Sequence, residues 1–331
     1  MNEKIDFVIT WVNDNDIHRK IQRDKYAGEN SEDCAEYRFR NWGILKYFFR
    51  WVEKFAPWVN NVFFVTCGHY PSWLNLNHPQ LKLIKHEDYI PQQYLPTFNS
   101  HTIELNFHRI KELSEHFVYF NDDMFIINYM KKTDFFELGQ PKHIAGLEAI
   151  PTNNEVYGHV ILNDVFLINR HFSYYKLLKT NRKKRYYLGY WFKVLAKTIF
   201  LKNYPFLVWF NNPHLPNPLL KSTMIKLWEK EWKIFDMSSK SKFRTEKDIN
   251  QYVFSWYDIA SGNFIPRNSS IWHNFSVKNS NVEKLIDAII KQKYNMICIN
   301  DNESNFDFEK VRSEVLVAFE KILPNKSSFE K

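Results

Sequence analysis

The stretch from Leu95 to Phe125, LPTFNSHTIELNFHRIKELSEHFVYFNDDMF, changes period in its middle. Ser100 stands where an N-cap is expected, with Glu104 near the first turn, and Ile103, Phe107, Ile110 and Leu113 recur at helical spacing. The remaining faces of this helix carry Glu104, His108 and Arg109 within about two turns. After Ser114 the pattern becomes FVYF, a β-branched and aromatic run that reads as a buried strand, and it ends in Asn121, Asp122 and Asp123. In open α/β sheets ligands lie outside the carboxyl ends of strands, so acids at that point are placed to meet a metal, a sugar hydroxyl or a phosphate-bound cation. The competing reading is a polar turn, because Asn and Asp are common turn formers.

The same grammar recurs upstream. Ile5 to Val12, IDFVITWV, reads as a first buried strand that runs into Asn13, Asp14, Asn15 and Asp16. Residues 17–37 are polar and charged, a loop or frayed helix that could cover a donor site. An amphipathic helix follows, with Trp42, Leu45, Phe49, Val52 and Phe55 on its apolar side and Pro57 at its end. Arg38 and Arg40 precede it, near a helix N-terminus where phosphate is electrostatically favoured; surface solvation is the other reading for both. NVFFVT (61–66) and LKLI (81–84) add two short strands. Strands separated by helices argue for a parallel, doubly wound α/β sheet.

Beyond Phe125 the character changes. Residues 146–170 offer further strand and helix structure. Ser173 to Phe206 is basic and aromatic, with Arg182, Lys183, Lys184 and Arg185 beside Tyr186, Tyr187, Tyr190, Trp191 and Phe192. Two readings fit: a cationic amphipathic surface for anionic lipid or glycan, or helices packed on the core with a solvated basic face. In NNPHLPNPLLKS, Pro213, Pro216 and Pro218 bracket His214 and restrict the backbone on both sides, which favours a catalytic histidine over one on a helix face. A Trp- and Lys-rich helix is expected over 222–235, and Arg244 is expected just ahead of a helix containing Asp248. NMICINDNES repeats the strand-then-acid pattern at Asn300, Asp301 and Asn302, and a terminal helix is expected from Asp307.

The 331-residue chain can bury a full core, and 44% hydrophobic and 18% aromatic content mark a folded protein. Eleven Trp and 29 Phe exceed what such a core needs, which leaves aromatics for a sugar cleft or a membrane-facing surface. The net charge of +8 favours anionic partners. No nucleic-acid module accompanies it, so nucleotide phosphates or a membrane surface fit better than nucleic acid. Cys34, Cys67 and Cys298 are odd in number and widely spaced, which fits a reduced cytoplasmic setting. The N-terminus has no signal-peptide layout and no segment reaches the roughly 20 apolar residues of a spanning helix, so the expectation is a cytoplasmic protein, soluble or peripheral at the inner face of the membrane.

Four separated motifs now stand together: IDFVITWVNDND; the span RFRNWGILKYFFRWVEKFAPWVNNVFFVTCGHYPSWLN with LPTFNSHTIELNFHRI and FVYFNDDMF; NPHLPNPLL with FRTEKDINQYVFSWY; and CINDN. They resemble the four regions of the Stealth family, the sugar-1-phosphate transferases of bacterial capsule synthesis, related to the catalytic part of the lysosomal-enzyme N-acetylglucosamine-1-phosphotransferase. The resemblance covers most of residues 5–305. It implies transfer of a hexose or N-acetylhexosamine 1-phosphate from a UDP-sugar to a hydroxyl of a glycan or lipid-linked oligosaccharide, with release of UMP. It also implies a Rossmann-type, glycosyltransferase-A-like, mostly parallel sheet carrying a helical basic-aromatic insertion.

Carried over residue by residue, Glu104 and Asp123 match the family's active-site acids, His214 and Arg244 its third-region pair, Asn300 its fourth region, and Asn13 and Asp16 its first. Asp14 replaces a glycine that often follows the first-region WVN or WVD, which adds a charge near the donor. The resulting assignment makes Glu104, Asp123, His214 and Arg244 catalytic. Asn13, Asp16, Arg38, Arg40, Arg109 and Asn300 bind donor or substrate, and Asp123, Asn300 and Asp301 hold Mg²⁺ or Mn²⁺ as hard oxygen ligands. His214 or Glu104 is the base; His214 is preferred because an imidazole needs little tuning near neutrality. The expected organisation is a nucleotide-sugar-binding half at 1–145, the remaining catalytic part at 146–305 with an insertion near 170–235, and a C-terminal helix and tail at 306–331. An ordinary glycosyltransferase releasing UDP, and a non-catalytic membrane-docked glycan-binding protein, are the two alternatives.

Overall fold

A computed structural model describes residues 3–13, 17–26, 42–150, 155–301 and 306–331. Strand β1 (Ile5–Thr10) is buried along nearly its whole length, as a central strand covered on both faces must be. Its one charge, Asp6, is a structural acceptor: Asn60 Nδ2 and the Asn61 amide donate to Oδ1, and the Ser114 amide donates to Oδ2. Helix α1 (Ile17–Tyr26) follows, then α2 (Leu45–Phe55). The sequence shows one apolar side on α2, but Tyr47, Phe48, Phe49, Arg50 and Trp51 are all buried. The helix is enclosed because Trp51 packs on Phe7 of the sheet while Tyr47 stacks on Phe319 near the C-terminus.

Next come β2 (Val62–Thr66), β3 (Leu81–Lys85), the short helices α3 (His86–Tyr89) and α4 (Ser100–Leu105), β4 (His116–Phe120) and β5 (Met124–Ile126). A hairpin, β6 (Phe136–Glu137) and β7 (Gln140–His143), leads into a helical stretch: α5 (Glu155–His171), α6 (Tyr174–Thr180), α7 (Arg182–Arg185) and α8 (Phe192–Leu201). The chain re-enters the sheet as β8 (Asn217–Leu220) and continues through α9 (Lys221–Lys230), α10 (Trp232–Lys240) and α11 (Tyr252–Ser261). It ends with β9 (Ile265–Pro266), β10 (Trp272–Ser276), α12 (Val282–Ile290), β11 (Met296–Asn300) and α13 (Phe308–Ile322).

The main sheet has the order β3-β2-β1-β4-β8. Its first four strands are parallel and β8 is antiparallel, so the fold is α/β with a mostly parallel sheet. Ile9 pairs with Phe120, which brings the carboxyl ends of β1 and β4 side by side. Tyr119 pairs with Asn217, so the chain just before β8 lies beyond the same end. A second sheet, β10-β11-β5, sets Cys298 opposite Met124. Asn121, Asp122 and Asp123 are therefore the link between two sheets.

Several element boundaries differ from the sequence expectation. The helix expected from Ser100 to Leu113 stops after Leu105, and residues 107–109 form a separate 3₁₀ turn. Asn106 ends it, because its side-chain amide donates to the Thr102 carbonyl that the next turn would have used. The N-cap is Asn99, which accepts from the His101 amide, and not Ser100. The helix expected over 222–235 is two helices that break at Glu231. Residues 155–171 are one helix with no strand, and Asp248 lies in the loop ahead of α11, not within a helix.

Candidate active site

The site is built on the carboxyl end of β4. Alternation along that strand sends Tyr119 toward α4, where its hydroxyl donates to Glu104 Oε1 at 3.0 Å and lies 3.2 Å from Thr10 Oγ1 at the end of β1. One step further, Asn121 and Asp123 meet His214 from the proline-rich loop ahead of β8. His214 Nε2 donates to Asp123 Oδ2 at 3.1 Å, and the Tyr252 hydroxyl lies 3.1 Å from His214 Nδ1. The Cys298 thiol of β11 donates to the same Asp123 oxygen at 3.2 Å.

Proton balance orients the Asn121 amide. Its nitrogen is placed 3.2 Å from His214 Nε2, which already carries a proton toward Asp123. Turning the amide sets Oδ1 toward His214 and Nδ2 toward the Tyr119 oxygen, which frees the single Tyr119 proton for Glu104. The network then runs from Glu104 through Tyr119 to Asn121, whose Oδ1 and Asp123 Oδ2 share the single Nε2 proton of His214.

The charges follow from these contacts. Burial pulls the His214 imidazole down, but the charge of Asp123 and its hydrogen bond together outweigh burial and hold the imidazole above its ordinary value. Burial pushes Asp123 up, and His214 with the Cys298 thiol reverses it, leaving the carboxyl below its ordinary value. Glu104 is raised by burial, which the charges of His101, Arg244 and His214 offset in part. His214 and Asp123 remain reachable from solvent, with side chains 31% and 26% exposed, although protein surrounds them on most sides.

Arg244 enters from a loop tied down by Asp248. That buried carboxylate accepts from Asn99 Nδ2 at 2.8 Å and from the Thr245 amide at 3.0 Å, and it lies 3.3 Å from His101 Nδ1. Arg244 in turn donates to Ser100 Oγ at 2.8 Å, on the helix that carries Glu104. Behind the His214 loop, buried Arg267 donates to the Pro216 carbonyl at 2.9 Å.

The structure thus brings Glu104, Asp123, His214 and Arg244 into one region. Asn13 sits at the end of β1, its amide donating to His69 Nε2 at 2.7 Å. Asn300 ends β11 on the same face as Cys298, with Asp301 next in the chain. Arg109 faces elsewhere: its guanidinium donates to Asn106 and stacks over Trp228, 4.6 Å from the ring. Asp16, Arg38 and Arg40 lie outside the described residues. Sequence reasoning missed Tyr119, Tyr252 and Cys298. Each sits inside a quoted motif, FVYF, NQYVFSWY and CINDN, where its aromatic or apolar setting reads as core.

For a cation, the decisive atom is Asp123 Oδ1, which is buried and has no hydrogen-bond partner. Asp123, His214 and Cys298 offer a carboxylate oxygen, an imidazole nitrogen and a sulfur within 4.8 Å of one another. Burial pushes the Cys298 thiol well up, and as a protonated group it donates to Asp123 Oδ2. An open carboxylate oxygen is the kind of group a hard divalent ion takes, and Asn300 and Asp301 stand at the end of the strand that carries Cys298.

Residues 38–144 match the family model of Stealth protein CR2, conserved region 2. Over 332 residues the chain is 43% identical to a capsular polysaccharide phosphotransferase, WcwK, of Streptococcus pneumoniae, covering 99% of this chain and 98% of that protein. It is 41% identical to a receptor polysaccharide phosphotransferase, WefC, of Streptococcus gordonii, with both chains covered completely (100%). An exopolysaccharide phosphotransferase, cps2G, of Lactiplantibacillus plantarum is 36% identical over 99% of this chain and 96% of its own. Similarity of this extent, over a chain whose motif residues converge on one site, makes the protein a member of the Stealth family.

Proposed function

We propose that the protein transfers a sugar 1-phosphate from a UDP-sugar to a hydroxyl of a glycan or lipid-linked oligosaccharide, forming a phosphodiester and releasing UMP, in capsular or cell-surface polysaccharide synthesis. The observation that carries this reading is the Asp123, His214 and Tyr252 chain at the end of β4, with Glu104 and Arg244 beside it. The phosphotransferase names of the relatives support it. The parallel strands β3-β2-β1-β4 fit a Rossmann-type, glycosyltransferase-A-like donor half, in which the nucleotide lies across the carboxyl ends of β1 and β4. Donor and acceptor of these kinds meet at the cytoplasmic face of the cell membrane, and a peripheral location there is part of the proposal.

In the step itself, the acceptor oxygen forms a bond to the phosphorus that bears the sugar, and the bond from that phosphorus to the UMP oxygen breaks with its electron pair leaving on UMP. His214 is the base at the end of a two-proton relay. Asp123 holds the proton on Nε2, so the basic lone pair is on Nδ1, where Tyr252 is the partner. Tyr252 passes its proton to Nδ1 as it takes the acceptor's. Arg244 offers its guanidinium to phosphate oxygens. Glu104, which accepts from Tyr119, holds the far end of the network in place. Mg²⁺ or Mn²⁺ held by Asp123, Asn300 and Asp301 would supply positive charge to the pyrophosphate oxygens.

The test is the nucleotide product. Purified protein with Mg²⁺ or Mn²⁺, a panel of UDP-sugars and a capsule-type acceptor is expected to release UMP, separated from UDP by chromatography. Release of UDP would make the protein an ordinary glycosyltransferase and overturn the mechanism.

A further inference from the structure

Between Phe172 and Phe206 the chain carries nine Lys or Arg and no Asp or Glu. Helices packed on a core would turn the aromatics of this segment inward. In α8 the opposite occurs. Its inner face is narrow, with Val194 and Thr198 buried. Thr198 Oγ1 accepts from the Leu147 amide at 2.9 Å, and Val194 comes so close to Gly146 that a Cβ there would lie 2.2 Å from Val194 Cγ1. The close approach at Gly146 clamps the helix by this face. Phe192, Ile199 and Phe200, spaced to share the other face, stand in solvent, with Phe192 83% and Phe200 82% exposed. Leu188, four residues ahead of the helix, and Phe206, five residues after it, are exposed as well, at 89% and 67%. Lys193, Lys197 and Lys202 flank the outer face, and Arg182 and Lys183 lie upstream, all exposed.

Exposed Phe and Leu grouped in this way on a well-anchored helix mark an interaction surface. The charge selects the partner. A second copy docking this patch on itself would set two acid-free cationic segments face to face, which like-charge repulsion disfavours. An anionic bilayer surface complements both features, since apolar side chains enter the acyl boundary while lysines stay with the phosphate headgroups. Among the described residues no helix is long and apolar enough to cross a membrane, so the contact is with the surface.

We propose that the outward stripe of α8, with Leu188 and Phe206, docks the protein on the anionic leaflet of the membrane. The segment leads straight to the site: Leu147 bridges Phe210, and His214 follows Phe206 by eight residues, at most about 29 Å of chain. A lipid-linked acceptor lying in the same leaflet would present its sugar within reach of His214. The acceptor part of this inference rests on the proposed function; the docking itself does not.

The experiment is vesicle flotation of the full chain without substrates. Wild-type protein is expected to float with phosphatidylglycerol-containing vesicles and to stay behind with pure phosphatidylcholine. The double variant Phe192→Ser/Phe200→Ser is expected to lower the bound fraction about tenfold or more, and Arg182→Gln/Lys183→Gln to weaken binding and its salt sensitivity. Both are expected to keep wild-type turnover on a lipid-free acceptor, which checks folding. Equal flotation by wild type and the Phe double variant, or no flotation by wild type, would overturn the proposal. So would a solution dimer that the Phe double variant dissolves. Loss of all transferase activity with flotation intact would count against the proposed function alone.

Discussion

The hydroxyl of Tyr252 lies 3.1 Å from Nδ1 of His214, on the ring nitrogen opposite the one that faces Asp123. The imidazole is therefore held from both sides, and in the proposed mechanism its basic nitrogen is reached through a phenol. Tyr252→Phe is expected to lower kcat about 10–100-fold with the thermal midpoint nearly unchanged, and His214→Ala to lower it about 10³-fold or more. Steady-state kinetics beside a melting curve checks both. Near-full turnover by His214→Ala would remove it as the base and shift that role to Glu104.

Cation dependence separates two readings of Asp123. If its partnerless Oδ1 holds a hard ion, a chelator abolishes turnover and Mg²⁺ or Mn²⁺ restores it. Cys298→Ser, which keeps a donor to Asp123, is expected to retain this response within about threefold, and Asp123→Asn is expected to lose it. A Cys298→Ser enzyme that lost its response to added ion would mean that sulfur is a ligand.

Stability has its own handle at the C-terminus. Arg50 is buried in α2 and donates to Glu330 at 2.8 Å and to the Leu323 carbonyl at 2.8 Å. Glu330→Gln leaves a buried guanidinium short of its charge partner and is expected to destabilise by about 3 kcal/mol. Urea unfolding measures it, and an unchanged midpoint would show that Glu320 alone suffices for Arg50.

Asp258 makes stability depend on pH. Burial pushes its carboxyl up to about 7 in the fold, against opposing hydrogen bonds from Thr223 and Asn263. In the unfolded chain an aspartate titrates near ~3.9, so the folded state holds an extra proton between the two values. The stabilisation is complete below about 4 and is lost as pH rises through about 7. Asp258→Asn removes this dependence, so it is expected to raise stability by roughly 2–4 kcal/mol near pH 8 and to change it little near pH 4. Thermal melts at the two pH values check the sign.

The strands were legible because β1, β2 and β4 are buried along their length and read as continuous apolar runs ending in turn residues. Helix ends were not, because side chains distant from the apolar period set them, such as Asn106 bonding back to Thr102. Asp248 looked like a helix residue since its partners, Asn99 and His101, are about 150 residues away in sequence and become neighbours only in the fold. Motif resemblance grouped Glu104, Asp123, His214 and Arg244, which the fold brings into one region. Tyr252 and Tyr119 were hidden because a buried tyrosine in an apolar run carries no mark of what its hydroxyl meets.

In the proposed reaction, phosphorus moves with the sugar. Incubating the enzyme with a UDP-sugar labelled at the phosphorus attached to the sugar, then separating glycan from nucleotide, tests it directly. Label is expected in the glycan as a phosphodiester, with unlabelled UMP in solution. Label remaining in the released nucleotide would contradict the proposed reaction.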